Sequence, residues 1–171
     1  MSMQRASCIA QLAVAIAGLQ TGHPVRVAID GVDAAGKSML ADELMEALRK
    51  AGRQVIRASV DGFHHPGERR YRRGRDSAEG YFLDWFDPAA VKQQLLLPLG
   101  PGGDRRFRTA VIDHRTDRAV DIPLQTARED AVLLFDGVFL QRAELDGAWD
   151  LVIWVEAPFD VTIKQIGRAH V

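Results

Sequence analysis

The stretch VRVAIDGVDAAGKS, residues 25–38, decides the fold. Residues 25–30 are a short run rich in β-branched side chains, which is typical of a buried parallel strand. The next eight residues, 31–38, match the pattern G-x-x-x-x-G-K-[ST]. After Ser38 the apolar residues recur on one helical face until Gly52 ends the pattern. A strand, a glycine-rich turn and a helix in this order predict a loop that wraps around phosphate groups.

The glycines of this loop allow backbone angles at which successive N–H groups turn toward phosphate oxygens. Lys37 is predicted to reach the β- and γ-phosphates of a nucleotide, and the hydroxyl of Ser38 is predicted to bind Mg²⁺. The predicted cofactors are therefore ATP and Mg²⁺. The predicted nucleotide-binding residues are Gly31, Val32, Asp33, Ala34, Ala35, Gly36, Lys37, Ser38 and Met39.

Other parts of the chain predict the rest of an α/β fold. The predicted strands are residues 25–30, 54–60, 131–135 and 151–155. The first two, with the helix between them, form a right-handed parallel unit. Asp87 and Pro88 are predicted as the N-cap and first position of another helix. Residues 107–113 and 119–122 are predicted to pair as a hairpin, and a helix is predicted at about residues 4–20.

Composition limits the classes of partner. The chain has 171 residues, a formal net charge of −1 and one cysteine, Cys8. A single domain is predicted, at residues 1–164. Because there is no strong positive charge, we expect a small-molecule substrate rather than nucleic acid or membrane; a homo-oligomer stays open. A single cysteine favours the cytoplasm, and the helical spacing of the apolar run 8–19 favours a packed helix over a signal peptide.

Two aspartates follow predicted strands. Asp136 comes directly after residues 131–135, where a carboxylate could hold Mg²⁺ together with Ser38. Asp61 follows the strand at 54–60, and the carboxyl ends of parallel strands face the ligand crevice. A carboxylate there could accept the proton of an attacking hydroxyl. Asp61 is therefore the predicted catalytic base, with Lys37 as its catalytic partner.

The segment after Asp61 is rich in histidine and arginine. His64 and His65 are adjacent and cannot easily bind one metal ion, so substrate contact or simple loop polarity is expected. The nearby arginines form local positive patches, and most are expected to be solvated. They are Arg69, Arg70, Arg72, Arg73, Arg75, Arg105, Arg106 and Arg108.

Four motifs together resemble the uridine kinase branch of the P-loop kinases, which also contains phosphoribulokinase and bacterial pantothenate kinase. They are AIDGVDAAGKS at 28–38, SVDGFHHP at 59–66, RDSAEGYFLDWFD at 75–87 and LLFDGVFL at 133–140. The resemblance implies a P-loop NTPase three-layer αβα sandwich with a mostly parallel sheet. It also implies transfer of the γ-phosphate of ATP to a hydroxyl of a nucleoside or similar acceptor. On this resemblance Asp61 matches the catalytic aspartate, and Asp136 the acidic residue of the second motif.

The acceptor is less closely specified. Residues 111–117 match only in part the tyrosine-aspartate-phenylalanine segment of uridine kinases, so uridine is expected and a pantothenate-like acceptor stays open. The candidate substrate contacts are Asp61, His64, Tyr81, His114 and Arg115. A nucleoside-triphosphate hydrolase, or a nucleotide-binding domain without an acceptor, are the alternative functions.

The C-terminal end departs from the family pattern. Members of this branch continue past the helix expected at Pro158 into an arginine-bearing lid and a last strand, which are expected to be missing here. Residues 166–171 resemble the translation of a sequencing adapter. Residues 165–171 are therefore predicted to be a non-native tail.

Overall fold

The structure is a computed structural model that describes residues 3–157. The helices are α1 Met3–Ala17, α2 Lys37–Lys50, α3 Gly67–Arg70, α4 Ala78–Asp84 and α5 Pro88–Val91. The strands are β1 Val25–Gly31, β2 Val55–Ser59, β3 Arg106–Phe107, β4 Ile112–Asp113, β5 Arg118–Ala119, β6 Gln125–Thr126, β7 Val132–Asp136 and β8 Leu151–Val155. Single 3-10 turns cover Val60–Phe63 and Ala143–Leu145, and a π-helical segment at Lys92–Leu96 continues α5.

Within residues 3–157, four strands form the central sheet in the order β2-β7-β1-β8, and the pairs between them are all parallel. Asp136 at the end of β7 pairs with Ser59 on one side and with Ile29 on the other. The loop after β1, the turn after β2 and Asp136 therefore share the carboxyl edge of the sheet. That edge is where open parallel sheets bind ligands.

The two faces of the sheet carry separate hydrophobic cores. Val27, Ile29 and Leu134 lie on one face and pack against α1 and α2, which contribute Ile16 and Leu44. The alternate strand residues, which include Ala28, Ile56 and Phe135, face a second core of α5, its π-helical continuation and Phe63 and Phe86. Helices therefore cover both faces, and the predicted three-layer αβα P-loop fold is confirmed. Within residues 3–157 no helix is long and apolar enough to cross a bilayer.

Most of the predicted elements are present with small shifts at their ends. The N-terminal helix stops at Ala17 rather than near residue 20, and Asp87 caps α5 by accepting a hydrogen bond of 3.0 Å from the N–H of Ala90. The helix expected at Pro158, the last strand and lid, and the tail at 165–171 lie outside the described residues.

The predicted hairpin between residues 107–113 and 119–122 is wrong except at its tip. Strand β4 pairs with β5, whereas β3 pairs with β6 further along the chain. The reason is that the intervening residues bond elsewhere. The N–H of Arg108 donates to the carbonyl of Gln94 at 3.1 Å, and that of Val111 donates to Gly62 at 2.8 Å.

Most of these arginines are exposed to solvent, as expected, but several of them are also paired. Arg72 and Arg73 both bind the carboxylate of Asp84, whose side chain is only 1% exposed. Arg75 lies over the ring of Tyr71, with its guanidinium carbon 4.4 Å from the ring centroid. The ion pairs with Asp84 therefore hold this segment against α4, and the cation–π contact lies within the segment.

Arg26 and Asp150 form a buried ion pair that ties β1 to the start of β8. The guanidinium donates to both carboxylate oxygens at 2.9 and 3.0 Å, and the backbone N–H of Arg26 adds a third bond at 2.7 Å. Burial opposes ionisation of Asp150, but the hydrogen bonds from Arg26 outweigh it and hold the pKa of Asp150 below its ordinary value.

We expect Asp150→Asn to lower the free energy of unfolding at pH 7 by about 2–4 kcal/mol, because Arg26 loses its buried partner. A depressed pKa stabilises the fold above the pKa of the unfolded chain, and this stability is lost as pH falls through the folded pKa. The gap between wild type and variant should therefore close below about pH 4. Urea unfolding of both proteins at pH 7, 5 and 3 measures the difference in their free energies of unfolding.

The matched control is Asp121→Asn, since Asp121 is 97% exposed and lies 3.7 Å from Arg108. This substitution should leave the free energy of unfolding unchanged at every pH. A gap for Asp150→Asn that stays constant down to pH 3 would contradict the linkage.

Candidate functional site

The loop after β1 leaves the N-terminus of α2 open. Gly36 is the N-cap of α2 with a φ of 87°, a conformation that disfavours residues with a side chain, and no side chain caps the helix. The first N–H groups of α2 are therefore available to an anion, and the helix dipole favours negative charge at this end.

Lys37 is held in place by its own loop. Its ammonium donates to the carbonyls of Gly31 at 3.1 Å and Val32 at 2.7 Å, and the residue is 8% exposed. Burial lowers the pKa of Lys37, while surrounding carboxylates, with Asp33 and Asp136 first, oppose that shift. The ammonium is thus positioned beside the loop before any phosphate is present.

Ser38 and Asp136 lie in direct contact. The Ser38 hydroxyl donates to Oδ2 of Asp136 at 2.5 Å, and the Asp136 side chain is 4% exposed. A hydroxyl and a carboxylate are hard oxygen ligands of the kind that Mg²⁺ prefers. In residues 3–157 no group of three or more His, Cys, Asp and Glu could hold a metal. Magnesium in nucleotide sites uses one or two protein ligands with phosphates and water, so this pair fits it.

Sequence reasoning missed Arg57. Its Nη1 contacts Oδ1 of Asp136 at 2.5 Å, and its Nε contacts Asp42 of α2 at 3.0 Å. Strand alternation is the signal that could have found it, because Ile56 and Ala58 face the opposite core and place residue 57 on the α2 face. Arg57 neutralises the buried carboxylate of Asp136 in the ligand-free protein.

Asp61 lies in the 3-10 turn after β2, with its side chain 56% exposed. Contact with His64 lowers the pKa of Asp61, more than burial raises it, and Lys37 acts in the same direction as His64. Asp61 is therefore an ionised, accessible carboxylate within electrostatic reach of the phosphate loop.

The side chain of Val60 packs directly on the backbone of Gly137 and brings the two strand tips together. A Cβ at Gly137 would lie 2.2 Å from Cγ1 of Val60, so only glycine fits there. Gly137 follows Asp136 and Val60 precedes Asp61, so the contact fixes the two carboxylate-bearing turns side by side.

Tyr81 contacts the phosphate loop. Its hydroxyl donates to Oδ2 of Asp33, and its ring packs edge-on against Trp85 and Phe139 with centroids 5.0 and 5.3 Å away. Burial, with a smaller effect of Asp33, raises the pKa of Tyr81. Tyr81, which is a predicted substrate contact, therefore connects α4 to the phosphate loop through its hydrogen bond to Asp33.

Of the other predicted substrate residues, His64 contacts Asp61 directly, and His114 and Arg115 lie at the surface. His64 is buried, with Nε2 3.3 Å from Oδ1 of Asp61. His114 is exposed, and its ring centroid lies 6.3 Å from that of His64. Arg115 is exposed in the β4–β5 turn, where its N–H donates to Asp113 at 2.9 Å.

A cavity of about 590 Å³ lies away from these residues, at the amino edge of the sheet. Its lining includes His23, Arg53 and Asp130, which precede β1, β2 and β7. We place the candidate site at the carboxyl edge because the phosphate loop, Asp61 and Asp136 converge there.

Asp30 is a second residue that sequence reasoning missed. Its carboxylate is 2% exposed and accepts from the N–H of Gly31 at 2.8 Å, the N–H of Leu140 at 3.1 Å and the amide of Gln141 at 3.2 Å. It therefore fixes the start of the phosphate loop to the segment after β7.

Asp30→Ala is expected to lower the free energy of unfolding by about 2–4 kcal/mol, because two buried N–H groups lose their acceptor. Chemical denaturation measures this. The control is Asp76→Ala at an exposed position, which should stay within about 0.5 kcal/mol of wild type. A loss below about 1 kcal/mol for Asp30→Ala would show that other groups replace the carboxylate.

No protein-family model matches the chain, and no curated protein matches it. Among solved structures, a "Possible Uridine Kinase from Bacillus stearothermophilus" is 25% identical with a TM-score of 0.79, covering 98% of this chain and 90% of that one. A "putative fructose transport system kinase from Silicibacter sp. TM1040" is 21% identical with a TM-score of 0.71, covering 95% of this chain and 83% of that one. The chain therefore has the fold of the P-loop kinases and is similar to uridine kinase-like members.

Proposed function

We propose that this protein is an ATP-dependent kinase that transfers the γ-phosphate to a hydroxyl of a small molecule, with a nucleoside such as uridine as the acceptor. One observation carries the proposal. The phosphate loop, the Ser38–Asp136 pair and the accessible carboxylate of Asp61 share the carboxyl edge of the sheet. Phosphoryl transfer to an alcohol needs these three parts.

The loop and α2 bind the nucleotide in this proposal. When bound, Mg-ATP would supply the phosphoryl group and a cation that offsets the negative charge of the phosphates. The N–H groups of residues 31–38 and the ammonium of Lys37 would hold the phosphates, and Ser38 and Asp136 would hold Mg²⁺. Lys37 exchanges its two loop carbonyls for phosphate oxygens and neutralises the charge that develops in transfer.

Asp61 acts on the acceptor. Its carboxylate takes the proton of the attacking hydroxyl as the new oxygen–phosphorus bond forms and the bond to the β–γ bridging oxygen breaks, with ADP leaving. Exposure of Asp61 in the turn after β2 leaves room for the acceptor beside it.

Two features support a nucleoside as the acceptor. The similar structure named as a possible uridine kinase covers 98% of this chain. In addition, a chain of ring contacts through Tyr81, Trp85, His64 and His114 reaches Asp61 at His64. Its half-buried and exposed members, Tyr81, Trp85 and His114, offer flat ring surface to a base. A pantothenate-like metabolite is the alternative acceptor.

The test is ADP release from Mg-ATP against a panel of nucleosides and pantothenate, with mass spectrometry of the product. The proposal expects one acceptor to stimulate release and to gain one phosphoryl group. Equal ATP consumption without any acceptor would make the protein a hydrolase. ATP binding without turnover would make it a nucleotide-binding domain.

A further inference from the structure

A row of side chains runs from Asp61 through the buried side chains of His64 and Arg70 to Asp117 at the surface. Asp117, in the turn between β4 and β5, accepts from Arg70 Nη2 at 2.8 Å and from the N–H of Gly67 at 2.7 Å. Arg70 Nη1 lies 3.1 Å from Nδ1 of His64, and Nε2 of His64 lies 3.3 Å from Oδ1 of Asp61. The row therefore joins a hairpin, α3 and the turn after β2.

The chemistry of arginine fixes the protonation of the histidine. A guanidinium has only donors, so Nδ1 of His64 must be the acceptor and carry no proton. The neutral ring then carries its proton on Nε2, the nitrogen that faces Asp61.

Burial leaves the His64 ring little freedom to change this arrangement. The side chains of His64 and Arg70 are 5% and 9% exposed. Trp85 packs edge-on against the histidine ring at 4.9 Å, and the backbone of His64 pairs with that of Phe86. Nε2 is buried, and among the described residues it has no well-aligned acceptor. Asp61 is the nearest carboxylate, and it is exposed enough to turn toward this N–H.

We propose that Asp117, Arg70 and His64 form a positioning relay that presents a fixed N–H of His64 to one oxygen of Asp61. The other oxygen is then held toward the acceptor hydroxyl. The inference rests on the proposed function for the role of Asp61. It assigns His64 and Arg70 to positioning and leaves Asp61 as the group that touches the substrate.

The relay has a consequence for pH. The titratable groups facing Asp61 are His64, His114, Lys37 and Tyr81, and His64 contributes the most to lowering the pKa of Asp61. Arg70, His114 and Asp61 face His64. A substitution that removes the contact between Arg70 and His64 should therefore weaken the contact of His64 with Asp61 and raise the pKa of Asp61. The acid limb of the kcat profile should then move to higher pH.

The kinetic experiment compares Arg70→Met with Arg75→Met, a control in the same segment. Arg70→Met is expected to lower kcat roughly tenfold to a hundredfold with the KM values little changed, and to shift the acid limb upward. Arg75→Met should match wild type. At position 64, Gln places an N–H near the Nε2 position and Asn near the Nδ1 position. His64→Gln should therefore keep on the order of tenfold more activity than His64→Asn.

An NMR measurement separates this inference from the proposed function. Nitrogen-15 shifts of His64 in the full chain should show the neutral Nε2–H form in wild type and a mixture in Arg70→Met, and the same spectra report that the variant is folded. A protonated or Nδ1–H ring in wild type would overturn the relay, as would an Arg70→Met variant with unchanged pH profile and tautomer. A wild type with the expected tautomer and no acceptor-dependent ADP release would overturn the proposed function alone.

Discussion

Asp61→Asn is expected to lower kcat for acceptor phosphorylation by about 10²–10⁴-fold, because an amide cannot take the proton of the attacking hydroxyl. The side chain is 56% exposed and the substitution keeps its size, so the fold should be unaffected. Binding of Mg-ATP should also be retained, since Asp61 lies outside the phosphate loop. Single-turnover kinetics and equilibrium titration with Mg-ATP measure the two quantities separately.

The matched control is Asp146→Asn, an exposed aspartate after the turn at Ala143–Leu145. It should leave kcat and nucleotide affinity unchanged. If Asp61→Asn lost less than about tenfold in kcat, proton transfer would not depend on this carboxylate, and a role limited to orienting the acceptor would replace it.

The sequence was informative wherever local pattern determines structure. Strand β8 lies at the predicted residues 151–155, and β1 extends the predicted strand by one residue. Strands β1 and β7 are buried along their whole length, as expected for parallel strands covered on both faces. Strand β8 was predicted from the same kind of apolar run, but it leaves Val152 and Trp154 exposed. The phosphate-loop motif defines the turn and helix that follow β1. The layer architecture then follows from the few ways in which parallel strands and helices pack.

Contacts between distant segments were not predictable in the same way. Arg57 reaches Asp136 across 79 positions, and Arg70 reaches Asp117 across 47. Nothing in either local sequence distinguishes a paired arginine from a solvated one, so these two pairings could not be inferred. The hairpin at 107–113 failed for a related reason, because its backbone bonds to Gln94 and Gly62 could not be inferred from local alternation.

Lys37→Met is expected to lower kcat/KM for Mg-ATP by at least about 10³-fold, because the loop loses the cation that meets the developing phosphate charge. Stability without nucleotide should respond differently. Burial lowers the pKa of Lys37, so its charged form costs the folded state free energy at pH 7, and a neutral side chain of similar length removes that cost. We therefore expect Tm of the free variant not to fall below that of wild type.

Thermal unfolding with and without Mg-ATP distinguishes binding from folding in this variant. A ligand that binds only the native state raises Tm, so wild type should be stabilised by Mg-ATP and Lys37→Met should lose most of that shift. Lys50→Met is the matched control, since Lys50 is an exposed residue in the last turn of the same helix and should keep both the shift and the turnover. A Lys37→Met variant that retained the full Tm shift would place the ammonium away from the phosphates. The two loop carbonyls would then be its permanent partners, and Lys37 would serve only to hold the loop closed.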